Sequence, residues 1–221
     1  LERALPLIDH LQSLRSRVYC ILGLAYLVRA GHPLGDRQQI ARLADSLIAE
    51  YHAASDGDWR WFEGILVYDN GRLPQALLLA GRVLAAPRYL QMGQESLDFL
   101  LAQVVEDDVV VPIGQDGWFR RGSGKARYDQ QPIDAAAIAE VCATAHAVLG
   151  NDHYRHIAER AWDWFHGHNS EGLSLHDQET DGCWDGLMRG SVNGNQGAES
   201  LLALLQTALA LRCPAWLGVA A

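Results

Sequence analysis

The sequence predicts an all-α chain of helical hairpins set side by side as an arc or ring, and three observations predict it. Apolar residues return every three to four positions through most of the 221 residues. Short joints marked by glycine or proline link several of these stretches, which favours antiparallel neighbours. The remaining connections are long, and three of them carry the same sequence of features.

Taken in order, the helical stretches are 15–30, 37–53, 73–85, 88–106, 132–149, 151–167 and 196–212. Gly31 and Pro33 stop the first, Pro87 divides the third from the fourth, and Gly150 ends the fifth. Stretches 73–84, 133–149 and 198–211 are rich in Ala, Leu and Gly and can pack on all sides, so they are expected inside. Stretches 37–51, 89–105 and 153–166 carry a charged face and are expected outside.

Each of three long loops precedes one inner helix. The first holds Asp58-Trp59-Arg60-Trp61-Phe62-Glu63, then Tyr68-Asp69-Asn70, then Leu73-Pro74-Gln75-Ala76-Leu77. The second holds Asp116-Gly117-Trp118-Phe119, then Tyr128-Asp129-Gln130-Gln131, then Pro132-Ile133-Asp134. The third holds Asp181-Gly182-Cys183-Trp184-Asp185, then Asn193-Gly194-Asn195-Gln196, then Gly197-Ala198-Glu199-Ser200. A Trp-bearing stretch, an acid or amide cluster and a helix opening recur at about 60 residues, the length of one hairpin plus one elaborated loop. All three loops should emerge on one rim, which would bring their polar and aromatic residues together.

This pattern resembles the six-hairpin α/α toroid superfamily of glycoside hydrolases, sugar epimerases and polysaccharide lyases. More narrowly, Trp59-x-Trp61-Phe62-Glu63, Tyr68-Asp69-Asn70-x-x-Leu73-Pro74-x-Ala76-Leu77 and Gly197-Ala198-Glu199-Ser200 resemble the helical domain found beside some bacterial glycosyltransferases. The resemblance spans roughly residues 15–212. It implies a carbohydrate-active domain, with a fused glycosyltransferase domain as one partner. A complete ring needs twelve helices and seven are counted here. The missing hairpins precede Leu1, or the domain is an open arc, or two copies close it; each alternative leaves an apolar flank in need of cover. The chain reads as one α/α-hairpin domain over 1–221, a piece of a longer protein.

Composition narrows the partners. A net charge of -9, with Lys125 the single lysine, argues against a phosphate-backbone ligand. Seven tryptophans on an acidic chain suit a neutral, hydroxyl-rich ligand, so a saccharide is expected and no nucleic acid. No apolar run is read as long enough to span a bilayer; Val18–Val28 is too short and broken by Gly23. Cys20, Cys142, Cys183 and Cys213 show no metal-like spacing and read as structural thiols of a reducing, cytoplasmic compartment.

The candidate catalytic groups are Glu63, Asp69 and Asp129, because glycoside chemistry needs one protonated and one ionised carboxyl. Glu63 stands beside aromatic residues that would favour its acid form. Asp134 and Glu199 fall in first turns, where acids also serve the helix dipole, and Asp69 and Asp129 stand where N-terminal caps do. Pro74 and Pro132 are expected as first helical residues. The candidate substrate-binding residues are Trp59, Trp61, Asn70, Trp118, Tyr128, Gln130, Trp184, Asn195 and Glu199. An indole face packs on the C–H face of a pyranose and its N–H donates to a hydroxyl; the same rings also serve as wedges between hairpins. Trp162, Trp164 and Trp216 read as structural. Arg120, Arg121, Arg127 and Arg189 read as neutralising the acidic loops. The histidines at 153, 156, 166 and 168 lack a metal-site pattern, and neither metal nor cofactor is expected. Gly122-Ser123-Gly124-Lys125 reads as a flexible loop. Three functions stay open: an enzyme on a saccharide, a binding or accessory domain beside a glycosyltransferase, and a helical scaffold for protein.

Overall fold

The computed structural model describes residues 2–3 and 5–212; Cys213 and Trp216 lie outside the described residues. A short 3-10 helix, Leu5–His10, leads into seven α-helices. They are α1 (Leu14–Arg29), α2 (Arg37–Ala54), α3 (Arg72–Leu84), α4 (Pro87–Val104), α5 (Pro132–Leu149), α6 (Asp152–Phe165) and α7 (Ala198–Arg212). The architecture is all-α, an α/α toroid in type.

Inner and outer helices separate as their composition demands. Nearly every residue of α3 is buried, and α5 is buried from Asp134 to Ala145. By contrast α2, α4 and α6 bury one face: in α6 that face is Tyr154, Ile157, Ala158, Ala161, Trp164 and Phe165. The inner helices form a row, with α1 packed on α3, α3 on α5 and α5 on α7, and α2, α4 and α6 lie against them. Gly71 permits the close approach of α3 to α5, because a Cβ there would strike the Ala137 backbone of α5. Gly150 closes α5 in the left-handed conformation at φ 72°, which glycine adopts without strain.

Three expectations need correction. First, α7 is not covered on all sides: Leu202 is 56% exposed, Leu205 50% and Leu209 40%. Among the described residues no helix packs on that flank. Second, α5 is long and apolar enough to cross a membrane by length and composition, with 67% of that stretch buried inside the protein as a core helix. Third, Pro74 is the third residue of α3 and not the first; it is tolerated because the first turn's N–H groups have no intrahelical partner. Pro132 does open α5. The connecting segments also hold short strands. Two-residue ladders pair Ile65–Leu66 with Phe119–Arg120, Val105–Glu106 with Val109–Val110, His176–Asp177 with Gly182–Cys183, and Leu187–Met188 with Ser191–Val192.

Candidate functional site

The three long loops meet. The ladder between Ile65–Leu66 and Phe119–Arg120 ties the first to the second. Gln130 and Leu187 exchange backbone hydrogen bonds of 3.0 and 2.8 Å, which ties the second to the third. Beneath them the N-terminal ends of the inner helices are joined by side chains. Arg15, in the first turn of α1, donates to Glu63 at 2.9 Å, to the Tyr68 carbonyl at 3.2 Å and to Asn70 Oδ1 at 3.4 Å. The backbone N–H of Asp69 donates to Asp134 Oδ1 at 2.6 Å. One rim thus gathers residues from four separate segments.

Several candidates lie below this rim. Trp61 has no exposed surface and Trp59 is 7% exposed. Both are core wedges, edge-on to Phe62 and Phe99 respectively, and offer no face to a sugar. The Trp59 indole N–H donates to the Glu63 carbonyl at 2.7 Å. Asn70 is buried, and its amide bridges both polar groups of Val67. Gln130 is wholly buried, accepting from the Trp164 indole at 3.0 Å and donating to Ser170 and the Arg127 carbonyl. Its hydrogen-bonding capacity is spent inside the protein.

Asp69 is also internal. It accepts from the Tyr19 hydroxyl and from Arg72 Nε at 3.2 Å, while Arg72 forks onto Glu140 at 2.6 and 2.7 Å. Gln75 and Thr144 extend the network. Burial pushes the Asp69 carboxyl up, and the Arg72 charge and the Tyr19 hydrogen bond pull against it. Arg72 shows the reverse balance: burial disfavours its charge, but Glu140 and then Asp69 hold the guanidinium more firmly protonated than usual. Such a triad is a structural lock. Asp134 is fully buried, and its second oxygen, Oδ2, finds no hydrogen-bond partner. Burial drives its carboxyl well above the usual range.

Other candidates reach the surface. The Glu63 side chain is 31% exposed and paired with Arg15. Tyr68 is 48% exposed, with the Arg15 guanidinium 5.2 Å over its ring and the Trp118 ring 6.3 Å away. Trp118 is half-buried and holds φ 59°, a left-handed conformation that costs an indole-bearing residue about 1–3 kcal/mol. Asp129 is half-buried: Gln115 donates to Oδ2 at 3.1 Å, while Oδ1 abuts Gly186 and lacks a hydrogen-bond partner. Burial raises the Asp129 carboxyl, hydrogen bonds from Gln115 and Gln131 oppose this, and the Asp116 charge adds to it. Tyr128 gives its hydroxyl to Glu171 at 2.5 Å and its ring face to Arg189, 5.0 Å away. Trp184 is half-buried, whereas Asn195 and Glu199 are exposed. Asn195 donates to Asp185, which also accepts from the Gly197 N–H at 2.6 Å and from the Ser200 hydroxyl.

Asp69 and Asp129 do not fill the N-terminal cap role expected of them. Neither α3 nor α5 has a side-chain cap, and Asp185 serves the first turn of α7 from within the third loop. Arg121 pairs with Asp56 at 2.7 Å and Arg127 with Glu106 at 2.7 Å, as neutralising partners. No group of metal-ligating residues occurs among the described residues. Arg15, Tyr19, Arg72 and Glu140 went unread as site residues. Glu140 did leave a signal: it is a charge in the middle of an inner helix read as packed on all sides, where burial demands a partner.

No protein-family model matches this sequence, and no curated protein matches it. Among solved structures the chain is similar to a GH76 alpha-mannanase from Bacteroides thetaiotaomicron, determined as a selenomethionine derivative. The two share 16% identity with a TM-score of 0.59, over 88% of this chain and 54% of that one. The chain thus spans about half the length of the mannanase, and the likeness is one of fold.

Proposed function

We propose that this chain is a carbohydrate-active domain that takes a saccharide on the rim where its three long loops meet. The observation that carries this is the Tyr68–Trp118 pair. Two aromatic rings from different loops stand 6.3 Å apart at the surface, with the Arg15–Glu63 ion pair beside them. Aromatic faces take the C–H face of a pyranose, and a guanidinium and a carboxylate offer donors and acceptors to its hydroxyls. If the domain is catalytic, Asp129, one of whose oxygens lacks a hydrogen-bond partner, and Glu63, paired with Arg15, are the two carboxyls that glycoside hydrolysis requires. Asp69 leaves the catalytic set, because a carboxylate held by Arg72 and Tyr19 has no freedom to exchange a proton with a ligand.

A second reading, a binding or accessory domain beside a glycosyltransferase, is favoured by that same locking of Asp69, which leaves fewer carboxyls for chemistry. One experiment addresses both. A panel of oligosaccharides is titrated by calorimetry against the parent, Tyr68→Ala and Trp118→Ala, and turnover is followed for the parent, Glu63→Gln and Asp129→Asn. Binding that weakens by about tenfold or more in the aromatic variants, about 1.4 kcal/mol, supports the rim site. Turnover lost in both carboxyl variants supports the enzyme, and binding without turnover supports the accessory role. Saccharide affinity untouched by either aromatic change removes the proposal.

A further inference from the structure

Among the described residues the row of inner helices ends in an open flank. α1 lies at one end and α7 at the other, and they do not pack on one another as the other inner neighbours do. Between them opens a cavity of about 350 Å³, lined by Tyr19, Gly23 and Tyr26 of α1 and Gln206 of α7, with Arg72 and Glu140 in its wall. Both bordering helices carry an exposed apolar stripe, the one on α7 lying beside Gln206 of the cavity wall in sequence. On α1 it is Tyr19, Gly23 and Tyr26, spaced four and three, with Tyr19 49% exposed. On α7 it is Leu202, Leu205 and Leu209, spaced three and four. A helix in solution rarely shows three leucines in a seven-residue repeat; that spacing is the seam by which helices pack on helices.

We infer that this flank is the interface of a symmetric dimer, and that its occupant is the same flank of a second copy of this chain. The chemistry of the stripes argues for a like partner. The chain carries a net charge of -9, so two copies repel over most of their surfaces. The six stripe residues carry no charge, and here apolar burial replaces repulsion. Both stripes have the heptad-type spacing that a helical surface fits, and a twofold axis covers all four stripes at once. The length agrees: one copy matches 54% of the toroidal mannanase, so two copies together approach the length of one such chain. The size suffices. Two helices of about 22–24 Å, each covering a strip roughly 10 Å wide, bury roughly 500 Å² per copy and about 1,000 Å² in all, the threshold of a specific interface. The partner roofs the cavity and takes the Arg72–Glu140 wall out of reach of bulk water.

The test is the mass of the chain in solution, by sedimentation equilibrium from about 1 to about 100 µM, since self-association is concentration-dependent. The expected result is twice the 24.3 kDa chain mass. Leu205→Glu should weaken association by about a hundredfold or more, because it places an unpaired charge in the apolar seam. The milder pair Leu202→Ser and Leu209→Ser should weaken it without a charge. Both sites are exposed, so circular dichroism and the melting temperature of the isolated monomer should stay near those of the parent. A parent that remains at one chain mass throughout overturns the inference. So does a dimer that survives both variants, or a mass that grows past two copies with concentration.

Discussion

Asp69 and Asp134 are 65 residues apart in sequence, yet the backbone N–H of one donates to the carboxyl of the other at 2.6 Å. This bond fixes the first loop to the start of α5, and it holds Asp69 at φ 54°. Burial raises the Asp134 carboxyl well above its usual 3.8. The folded state therefore holds that proton more tightly than the unfolded chain. The resulting stabilisation is complete below the ordinary carboxyl value and is lost as pH rises through the raised one. Asp134→Asn keeps an acceptor for the Asp69 N–H and has no proton to lose. Its melting temperature should gain on the parent's between pH 4 and pH 8, by a few degrees, about 2–4 °C for each kcal/mol in a chain of this size. Melting curves that run parallel across that range would refute the assignment.

Arg72 sits between two buried carboxylates, Asp69 and Glu140, with its own side chain 10% exposed. Removing it strands both charges, so Arg72→Met should cost about 3–5 kcal/mol in urea unfolding. The paired change Arg72→Met with Glu140→Leu should cost less than the sum of the two single changes, because it removes one stranded charge along with its partner. Additive losses would mean that the two side chains do not act as a unit.

The seven helices were legible because each repeats a simple signal, apolar residues at helical spacing, and Gly31, Pro87 and Gly150 punctuate some of their ends. The meeting of the three loops was legible too, since each precedes an inner helix and the inner helices share one direction. The depth of each side chain was not. Trp61 and Trp118 stand in matching motifs, yet one is wholly buried and the other half-exposed. The difference arises from Phe99, a residue of α4 that closes over Trp59 and Trp61. Such contacts between distant segments leave no local trace. Arg15 and Tyr19 were missed for the same reason: they lie on α1, ahead of every loop motif, and reach the site only through the packing of α1 on α3.

Asp185 orders the start of α7 by accepting from the Gly197 N–H, the Ser200 hydroxyl and the Asn195 amide. Partial burial pushes its carboxyl up, but those three hydrogen bonds outweigh it and hold the value below 3.8. Its contribution is therefore present above the ordinary carboxyl value and lost as pH falls through the lowered one. Asp185→Ala should cost about 0.5–2 kcal/mol at neutral pH, with the loss concentrated in hydrogen-exchange protection of the first turn of α7. The cost should shrink on acidification. Unchanged protection at Ser200 and Leu201 would show that the helix start needs no such partner.

Trp59 and Trp61 separate the value of a hydrogen bond from that of a ring. Both are buried, but the Trp59 indole donates to the Glu63 carbonyl, while the Trp61 indole N–H is buried without a partner. Replacement by alanine should be severe for each, about 3–5 kcal/mol, because a large void opens in the core. Replacement by phenylalanine should divide them. Trp59→Phe takes a donor from Glu63, the residue that Arg15 fixes at the rim, whereas Trp61→Phe removes an N–H that was already costly to bury. Trp61→Phe should then be the milder change by about 1 kcal/mol, although Trp61 is the more deeply buried of the two. Chemical denaturation of the two variants decides it, and a larger loss for Trp61→Phe would mean that ring packing alone governs this part of the core.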